Sequence, residues 1–229
     1  MIISHKYKFI FICNGRTGTT SIEAALKSVD ESCDLNNGAS GLWVTKHIPP
    51  AVLKSFFSSE IWDQYFKFVF VRHPLDWFVS QYRHNFPNPS FPSKSIMRRP
   101  WQTLKLIKRY KNNKGISSKH VFDSGDVDFL YLYLKRFRGL PGSPSLMQSN
   151  YVYDADGKTI VDYIGRFENL AEHVEDLKDK IGFDFELPYL NKTVHQPYQY
   201  CFTNPAVERV KTLWEIDFKN FGYEINAVE

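Results

Sequence analysis

The feature that most restricts the fold of this chain is a set of three short apolar runs, each leading into a helix-like stretch. The runs are KFIFIC at residues 8–13, FKFVFVR at 66–72 and TIVDYIGRF at 159–167. Short runs rich in Phe, Val and Ile are typical of strands that are buried on both faces of a sheet. Because a helical pattern follows each run, the order predicts an α/β fold with a central parallel sheet flanked by helices.

Helical patterns occupy six stretches. They cover residues 19–29, 74–84, 101–111, 127–137, 170–181 and 206–221. Asn204 as a cap and Pro205 at the first helical position mark the start of the last one. A chain of 229 residues is long enough for one sizeable α/β core. We therefore expect a single domain over residues 1–229, with a basic, Pro-containing insertion at about 87–120.

The composition is that of a globular protein. No apolar run approaches the about 20 residues that a membrane helix needs. Lysines interrupt the first apolar stretch and no small-residue cleavage site follows it, so the pattern of a signal peptide is missing. The three cysteines are sparse and lack metal-ligand spacing, which fits a reducing compartment. We expect a cytoplasmic protein without a membrane span, in which Cys13 is a small buried residue of the first strand.

Positive charge is concentrated in one segment of the chain. Between Asp76 and Asp123 there is no acidic residue and there are ten basic ones. They are Arg83, Lys94, Arg98, Arg99, Lys105, Lys108, Arg109, Lys111, Lys114 and Lys119. Such a basic segment favours an anionic partner, although a solvated helix face followed by a basic loop would have the same composition.

The turn after the first run, CNGRTGTTS, has the composition of an anion site. A strand end that meets a helix N-terminus leaves backbone N–H groups unpaired, and the helix dipole favours negative charge there. Glycines let a phosphate approach the backbone, hydroxyl side chains add donors, and Arg16 adds a permanent charge. The ATP and GTP version of this loop, G-x-x-x-x-G-K-[ST], is absent, because Thr20 stands where its second glycine is required. A generic glycine turn is the alternative.

A second strand–helix junction extends the pattern. The run at 66–72 ends in Arg72, Pro74 starts a helix, and Ser80 lies further along that helix. An arginine that leaves a strand and a serine a little over one turn into the next helix can bind a second phosphate together.

In this order the two motifs resemble those of the sulfotransferases that use 3′-phosphoadenosine 5′-phosphosulfate (PAPS), in particular the carbohydrate sulfotransferase branch. Further similarity lies in KHIPPAVLKSFF, DYIGRFENLAEHVEDL, LPYLNKT and the terminal NFGYE, so it extends from about Lys8 to Tyr223. The resemblance implies a P-loop-like α/β domain that moves the sulfuryl group of PAPS to a hydroxyl acceptor by in-line displacement, with a histidine base and no metal. The acceptor would be a carbohydrate or another hydroxyl-bearing small molecule, anionic if the basic segment binds it.

The resemblance also implies the donor contacts. The 5′-phosphosulfate would be held by Arg16, Thr17, Gly18, Thr19, Thr20 and Ser21. Arg72 and Ser80 would hold the 3′-phosphate, and Lys192 in LPYLNKT would close over it. Arg16 stands where the family usually has lysine. Since an arginine keeps its proton to a pKa above about 12, Arg16 would neutralise charge on the leaving group without donating a proton. A weakened or non-catalytic relative is the alternative.

His47 is the candidate base among the seven histidines. It stands in VTKHIPP, before a proline pair that starts a helix, at a position that resembles the base histidine of the carbohydrate branch. A neutral imidazole, with an unperturbed pKa of about 6.5, can accept the proton of a sugar hydroxyl. The alternatives for the base are His195 and a carboxylate such as Glu168 or Asp76. The alternative for His47 itself is a helix-capping role.

The sequence is also compatible with two other functions. A non-catalytic module that binds anionic glycans or nucleic acid would depend on the basic segment at 83–119. A nucleotide-dependent kinase would lack the lysine of the usual loop and an obvious magnesium carboxylate.

Two further expectations concern structural details. We expect Arg166 and Glu168 to form a buried ion pair at a strand end. We expect Gln148 and Asn150 either to face the acceptor or to form a turn.

Overall fold

A computed structural model of the chain describes residues 1–32, 47–85, 147–190, 198–200, 202 and 204–224. Within them, four strands form one sheet in the order β1-β2-β3-β4. The strands are β1 (Ile2–Ser4), β2 (Phe9–Ile12), β3 (Phe66–Val71) and β4 (Tyr163–Arg166). The sheet lies among helices, so the predicted α/β class is confirmed.

The three predicted strands are parallel neighbours. Phe9 pairs with Phe66 across β2 and β3, and Val71 pairs with Arg166 across β3 and β4. β1 pairs with β2 in the antiparallel direction and makes the sheet mixed, which the sequence did not predict. Its three residues, followed directly by a turn, are too few for a pattern to indicate a strand.

Seven α-helices are described. They are α1 (Thr19–Leu26), α2 (Pro50–Leu53), α3 (Ser59–Gln64), α4 (Pro74–Asn85), α5 (Leu170–Ile181), α6 (Asn204–Leu213) and α7 (Glu215–Phe221). The predicted helix at 206–221 is therefore two helices, which are separated at Trp214. The helix α3 was not predicted; Ser58 caps it by accepting a hydrogen bond from the backbone N–H of Ile61. The helices predicted at 101–111 and 127–137 lie outside the described residues.

The chain divides into two compact units. The first comprises Met1–His73, Gly142–Lys192 and Ile216–Tyr223, and the second comprises Pro74–Pro141, Thr193–Glu215 and Glu224–Glu229. The sheet belongs to the first unit. A single domain over the whole chain stays a prediction, and the predicted insertion at about 87–120 lies outside the described residues.

Both faces of the sheet in the first unit are covered. Alternate strand residues point to opposite faces, so Phe9 and Phe11 pack on one side while Ile10 and Ile12 pack on the other. The phenylalanine side is completed by residues of α1 and α5: Ile22, Leu26, Val174, Leu177 and Ile181. The isoleucine side is completed by Leu53, Trp62, Tyr151 and Phe221. This double coverage explains why the strands are apolar without alternation.

In the second unit, aromatic rings of α4 pack against residues near α6. Trp77 lies 6.1 Å from Trp214 between ring centroids, and Phe78 lies 5.9 Å from the same ring. Ring pairs at these distances stabilise beyond the area they bury. Ser80 is buried on α4, with 1% of its surface exposed.

Candidate active site

The loop of residues 13–18 joins β2 to α1 and has an unusual backbone. Arg16 and Gly18 have φ angles of 67° and 81°, which lie in the left-handed region. Glycine reaches this region without strain, whereas arginine pays a steric penalty there. Strain of this kind persists where the surroundings hold it, commonly at functional sites.

The N-terminus of α1 has no protein cap among the described residues. Gly18 supplies no side-chain cap, and the first turn has no acidic residue. Within the described part of the chain, the backbone N–H groups of residues 17–20 donate to no acceptor. Backbone N–H groups without an intrahelical partner, at the positive end of a helix, typically bind an oxyanion. The backbone from Thr17 to Thr20 therefore fits a phosphate or sulfate group.

Two hydroxyl groups of this turn have structural partners. The Thr17 hydroxyl is buried and donates to the carbonyl oxygen of Asn14 at 2.7 Å. The Ser21 hydroxyl accepts from the N–H of Leu190 at 3.1 Å and lies 3.4 Å from the carbonyl oxygen of Leu190. Thr17 thus closes the loop on itself, and Ser21 ties the segment that precedes Lys192 to α1. Lys192 itself lies outside the described residues.

Arg72 lies against the same loop. Because β2 and β3 are parallel neighbours, their carboxyl ends meet at one edge of the sheet. The Nη1 atom of Arg72 donates to the carbonyl oxygen of Arg16 at 3.1 Å. The guanidinium carbon lies 4.1 Å from the centroid of the Phe167 ring, and the residue is 6% exposed. The structure therefore brings the two predicted phosphate-binding motifs together through Arg16 and Arg72.

His47 lies beside the loop as well. Its Nδ1 atom is 2.9 Å from the carbonyl oxygen of Cys13, and its Cε1 atom would lie 3.7 Å from a Cβ added to Gly15. A carbonyl oxygen can only accept, so Nδ1 carries a proton and the lone pair of the neutral ring is on Nε2. The helix-capping alternative is not observed, since Pro49 occupies the cap of α2 and no side chain caps that helix.

The alternative base Glu168 is engaged elsewhere. Its Oε1 atom accepts from the backbone N–H of His73 at 2.6 Å, and its Oε2 atom accepts from the hydroxyl of Tyr223 at 3.0 Å. The ion pair expected between Arg166 and Glu168 is wrong. Both residues are exposed, and the guanidinium of Arg166 donates instead to the carbonyl oxygen of Phe221 at 2.5 Å and lies over the Tyr223 ring.

The remaining predicted site residues belong to other parts of the chain. Ser80 and Asp76 lie on α4, in the second unit. His195 lies outside the described residues. The binding of one phosphate by Arg72 and Ser80 together thus stays a prediction.

The sequence did not predict the polar contacts that support the loop. Gln148 forms a turn with Ser149 and Asn150, as one of the two expectations had it, and its side chain points at Arg72 and Asn14. Asn14 donates from Nδ2 to the carbonyl oxygen of Phe70 at 2.9 Å. No local pattern could have shown these contacts, since Asn14 and Gln148 are 134 positions apart.

The structure is that of an α/β protein in which a loop suited to an oxyanion joins a parallel strand to a helix. The model of the Sulfotransferase family matches residues 1–224, and the chain belongs to this family. It is a sulfotransferase enzyme. Searches of curated proteins and of solved structures found no match. None of the helices in the described residues is both long and apolar enough to span a membrane.

Proposed function

We propose that the protein transfers the sulfuryl group of PAPS to a hydroxyl group of a carbohydrate acceptor. The observation that carries the proposal is the row of backbone N–H donors at residues 17–20, which have no acceptor among the residues that the structure describes, with Arg16 in the same loop and Arg72 against it. PAPS is the general donor of the family, and it carries a 5′-phosphosulfate and a 3′-phosphate. Two anionic groups on one nucleotide would match two adjacent cationic motifs.

The donor would be held from both ends. The backbone of Thr17, Gly18, Thr19 and Thr20 would bind the 5′-phosphosulfate, and Arg72 with Ser80 and Lys192 would bind the 3′-phosphate. Ser21 would contribute indirectly, because its hydroxyl accepts a hydrogen bond from Leu190 and so holds the segment that precedes Lys192. Arg16 would neutralise the charge that grows on the departing phosphate oxygen, and it would not supply a proton.

His47 would remove the proton of the acceptor. As the acceptor oxygen forms its bond to sulfur, the bond from sulfur to the phosphate oxygen breaks and the hydroxyl proton moves to Nε2 of His47. The hydrogen bond from Nδ1 to the Cys13 carbonyl holds the ring in the tautomer that this step needs. A positioned base of this kind is worth about 10²–10⁴ in rate.

The acceptor would be recognised by the basic segment, residues 83–119. Its ten basic residues and absence of acidic ones would favour a glycan that already carries negative charge. Nucleic acid is the less favoured partner, because the sulfotransferase branch that the sequence resembles acts on carbohydrates. Most of this segment lies outside the described residues.

Calorimetry with PAP, the desulfated donor, tests the proposal. We expect PAP to bind in the presence of EDTA, and we expect transfer of label from ³⁵S-PAPS to a responsive glycan. Binding of ATP with magnesium, but not of PAP, would instead support a kinase. Binding of a sulfated glycan without binding of PAP would support the non-catalytic module.

A further inference from the structure

Gln148 is almost fully buried and places its side chain between the two phosphate-binding motifs. It begins a 3₁₀ turn, Gln148–Tyr151, and is 1% exposed. Its Oε1 atom accepts from the backbone N–H of Arg72 at 2.8 Å, and its Nε2 atom donates to the carbonyl oxygen of Arg72 at 2.6 Å. The carboxamide therefore pairs with the Arg72 backbone as a neighbouring strand would, one residue after β3 ends at Val71.

The same carboxamide also reaches the 13–18 loop. The Nδ2 atom of Asn14 donates to Oε1 of Gln148 at 3.2 Å. The Asn14 carbonyl in turn accepts a hydrogen bond from the hydroxyl of Thr17, the first residue of the row of backbone N–H donors at 17–20. One side chain thus links the base of the 13–18 loop to the backbone that carries the Arg72 guanidinium.

The turn that carries Gln148 is itself anchored. Asp217 on α7 accepts from the backbone N–H of Gln148 at 2.9 Å through Oδ2. Its Oδ1 atom accepts from the N–H of Ser149 at 2.8 Å and from the Ser149 hydroxyl at 2.5 Å. At the other end of the turn, the hydroxyl of Tyr151 lies 3.4 Å from the His47 carbonyl oxygen. The turn therefore has a fixed backbone from which Gln148 can act.

We propose that Gln148 is a positioning residue of the donor site, which sets Arg72 at the distance from the 13–18 loop that the 3′-phosphate of the nucleotide requires. The inference rests on the proposed function, in which Arg72 binds that phosphate. A binding group must be held within about 0.5 Å of its productive position to keep its full effect. A buried side chain with three hydrogen bonds to the two motifs can impose that limit, whereas an apolar side chain of the same length cannot.

The test compares PAP with AMP, because the two nucleotides differ only in the 3′-phosphate. Gln148→Met keeps the length of the side chain and removes the carboxamide. We expect it to weaken PAP binding about tenfold or more and AMP binding by no more than about threefold, as measured by calorimetry. Gln148→Asn keeps the amide but shortens the side chain by one methylene, and we expect a shift of the PAP-to-AMP affinity ratio in the same direction.

A double-mutant cycle separates positioning from general stability. In an Arg72→Ala background, Gln148→Met should weaken PAP binding by less than about threefold, because the group on which Gln148 acts is gone. Ser149→Ala is the matched control: it removes a buried hydrogen bond of the same turn but touches neither motif. It should lower the melting temperature and leave the PAP-to-AMP affinity ratio unchanged.

Several outcomes would overturn the inference. Equal losses for PAP and AMP in Gln148→Met, additive losses in the cycle, or unfolding of both Gln148 variants would show a residue that only stabilises the fold. If Arg72→Ala itself leaves the PAP-to-AMP ratio unchanged, the assignment of the 3′-phosphate to Arg72 fails first. If Arg72→Ala changes the ratio and Gln148→Met does not, the inference about Gln148 alone is wrong.

Discussion

The imidazole of His47 is held against the backbone of the strand end at Cys13, with 2.9 Å between Nδ1 and the carbonyl oxygen. This contact gives the ring one protonated nitrogen on the loop side and leaves Nε2 as its basic atom. A residue 34 positions away in sequence is thereby placed beside the 13–18 loop.

The first prediction concerns this histidine as a base. His47→Ala should lower kcat by about 10²–10⁴, because the acceptor proton then has no positioned acceptor. His47→Asn should lower kcat by a similar factor, although its amide can still donate to the Cys13 carbonyl. Turnover of ³⁵S-PAPS is the measurement. Circular dichroism and PAP affinity, both near wild type, are the controls. Near-normal turnover in His47→Asn would remove His47 from the role, and His195 and Glu168 would be tested next.

The second prediction concerns recognition of the 3′-phosphate. Arg72→Ala or Ser80→Ala should weaken PAP binding about ten- to a hundredfold and AMP binding much less, since a charge-assisted hydrogen bond is lost only with the first ligand. Calorimetry with both nucleotides measures the difference. Arg166→Ala is a matched control, because Arg166 ends the neighbouring strand and donates to Phe221 instead of the loop. An equal loss for PAP and AMP would place the 3′-phosphate elsewhere.

The third prediction concerns Gly18. Its φ is 81°, and an added Cβ would lie 3.1 Å from Leu170 Cδ2 and 3.3 Å from Phe167 Cδ2. Gly18→Ala should cost about 1–2 kcal/mol of stability and also weaken PAP binding, because the first turn of α1 must shift. Gly157→Ala is the control: its φ is 76°, and nothing lies within 4 Å of the added Cβ. It should cost stability in urea unfolding without changing PAP affinity. Equal PAP affinity in the two variants would contradict the assignment of the loop.

The fourth prediction concerns the thiol of Cys13. Burial raises its pKa from 9.0 to about 12, and its sulfur donates to Glu23 at 3.1 Å. Since the folded-state pKa is raised, the stability that goes with the protonated thiol is fully present below about pH 9 and is lost as the pH rises from there through about 12. At pH 8 the thiolate fraction is then only about one in 10⁴, so iodoacetamide should not label Cys13 in the folded protein.

Mass spectrometry of the peptide that contains Cys13 measures the extent of iodoacetamide labelling. The same peptide should be labelled readily in urea, where burial is lost. Labelling of the native protein at the rate of a free thiol would mean that the end of β2 opens in solution.

The fifth prediction concerns the basic segment. If it binds an anionic acceptor, the apparent affinity for the acceptor should fall as salt rises. Reversal of charge at Arg98 and Arg99 should raise the acceptor KM and leave PAP affinity unchanged. Initial rates at several ionic strengths are the measurement. If the apparent affinity for the acceptor does not change with salt, the segment is a solvated surface that does not bind the acceptor.

Local sequence determined the elements that carry the donor site. The run at 8–13 could be recognised as a buried strand because it is short, apolar and followed by a glycine turn, and the structure has β2 at Phe9–Ile12. β3 could also be recognised as a short apolar run. The helix α5 could be recognised from the spacing of its apolar residues, and Val174, Leu177 and Ile181 on that face are buried. Such patterns depend only on residues close together in sequence. Because they predict parallel strands, they also predict that the carboxyl ends of those strands meet at one edge of the sheet.

Only the tertiary structure decided what holds those ends in place. The amide of Gln148 could pair with any backbone, and the sequence gives no sign that it pairs with Arg72, 76 positions away. The expected ion pair of Arg166 and Glu168 fails for the same reason, because each side chain has closer partners from other parts of the chain: Phe221 for Arg166, and His73 and Tyr223 for Glu168. Hydrogen bonds of polar side chains are short in range and strict in direction, so their partners depend on how distant segments pack. Backbone patterns are local, and for that reason the strand–turn–helix unit could be predicted while its supports could not.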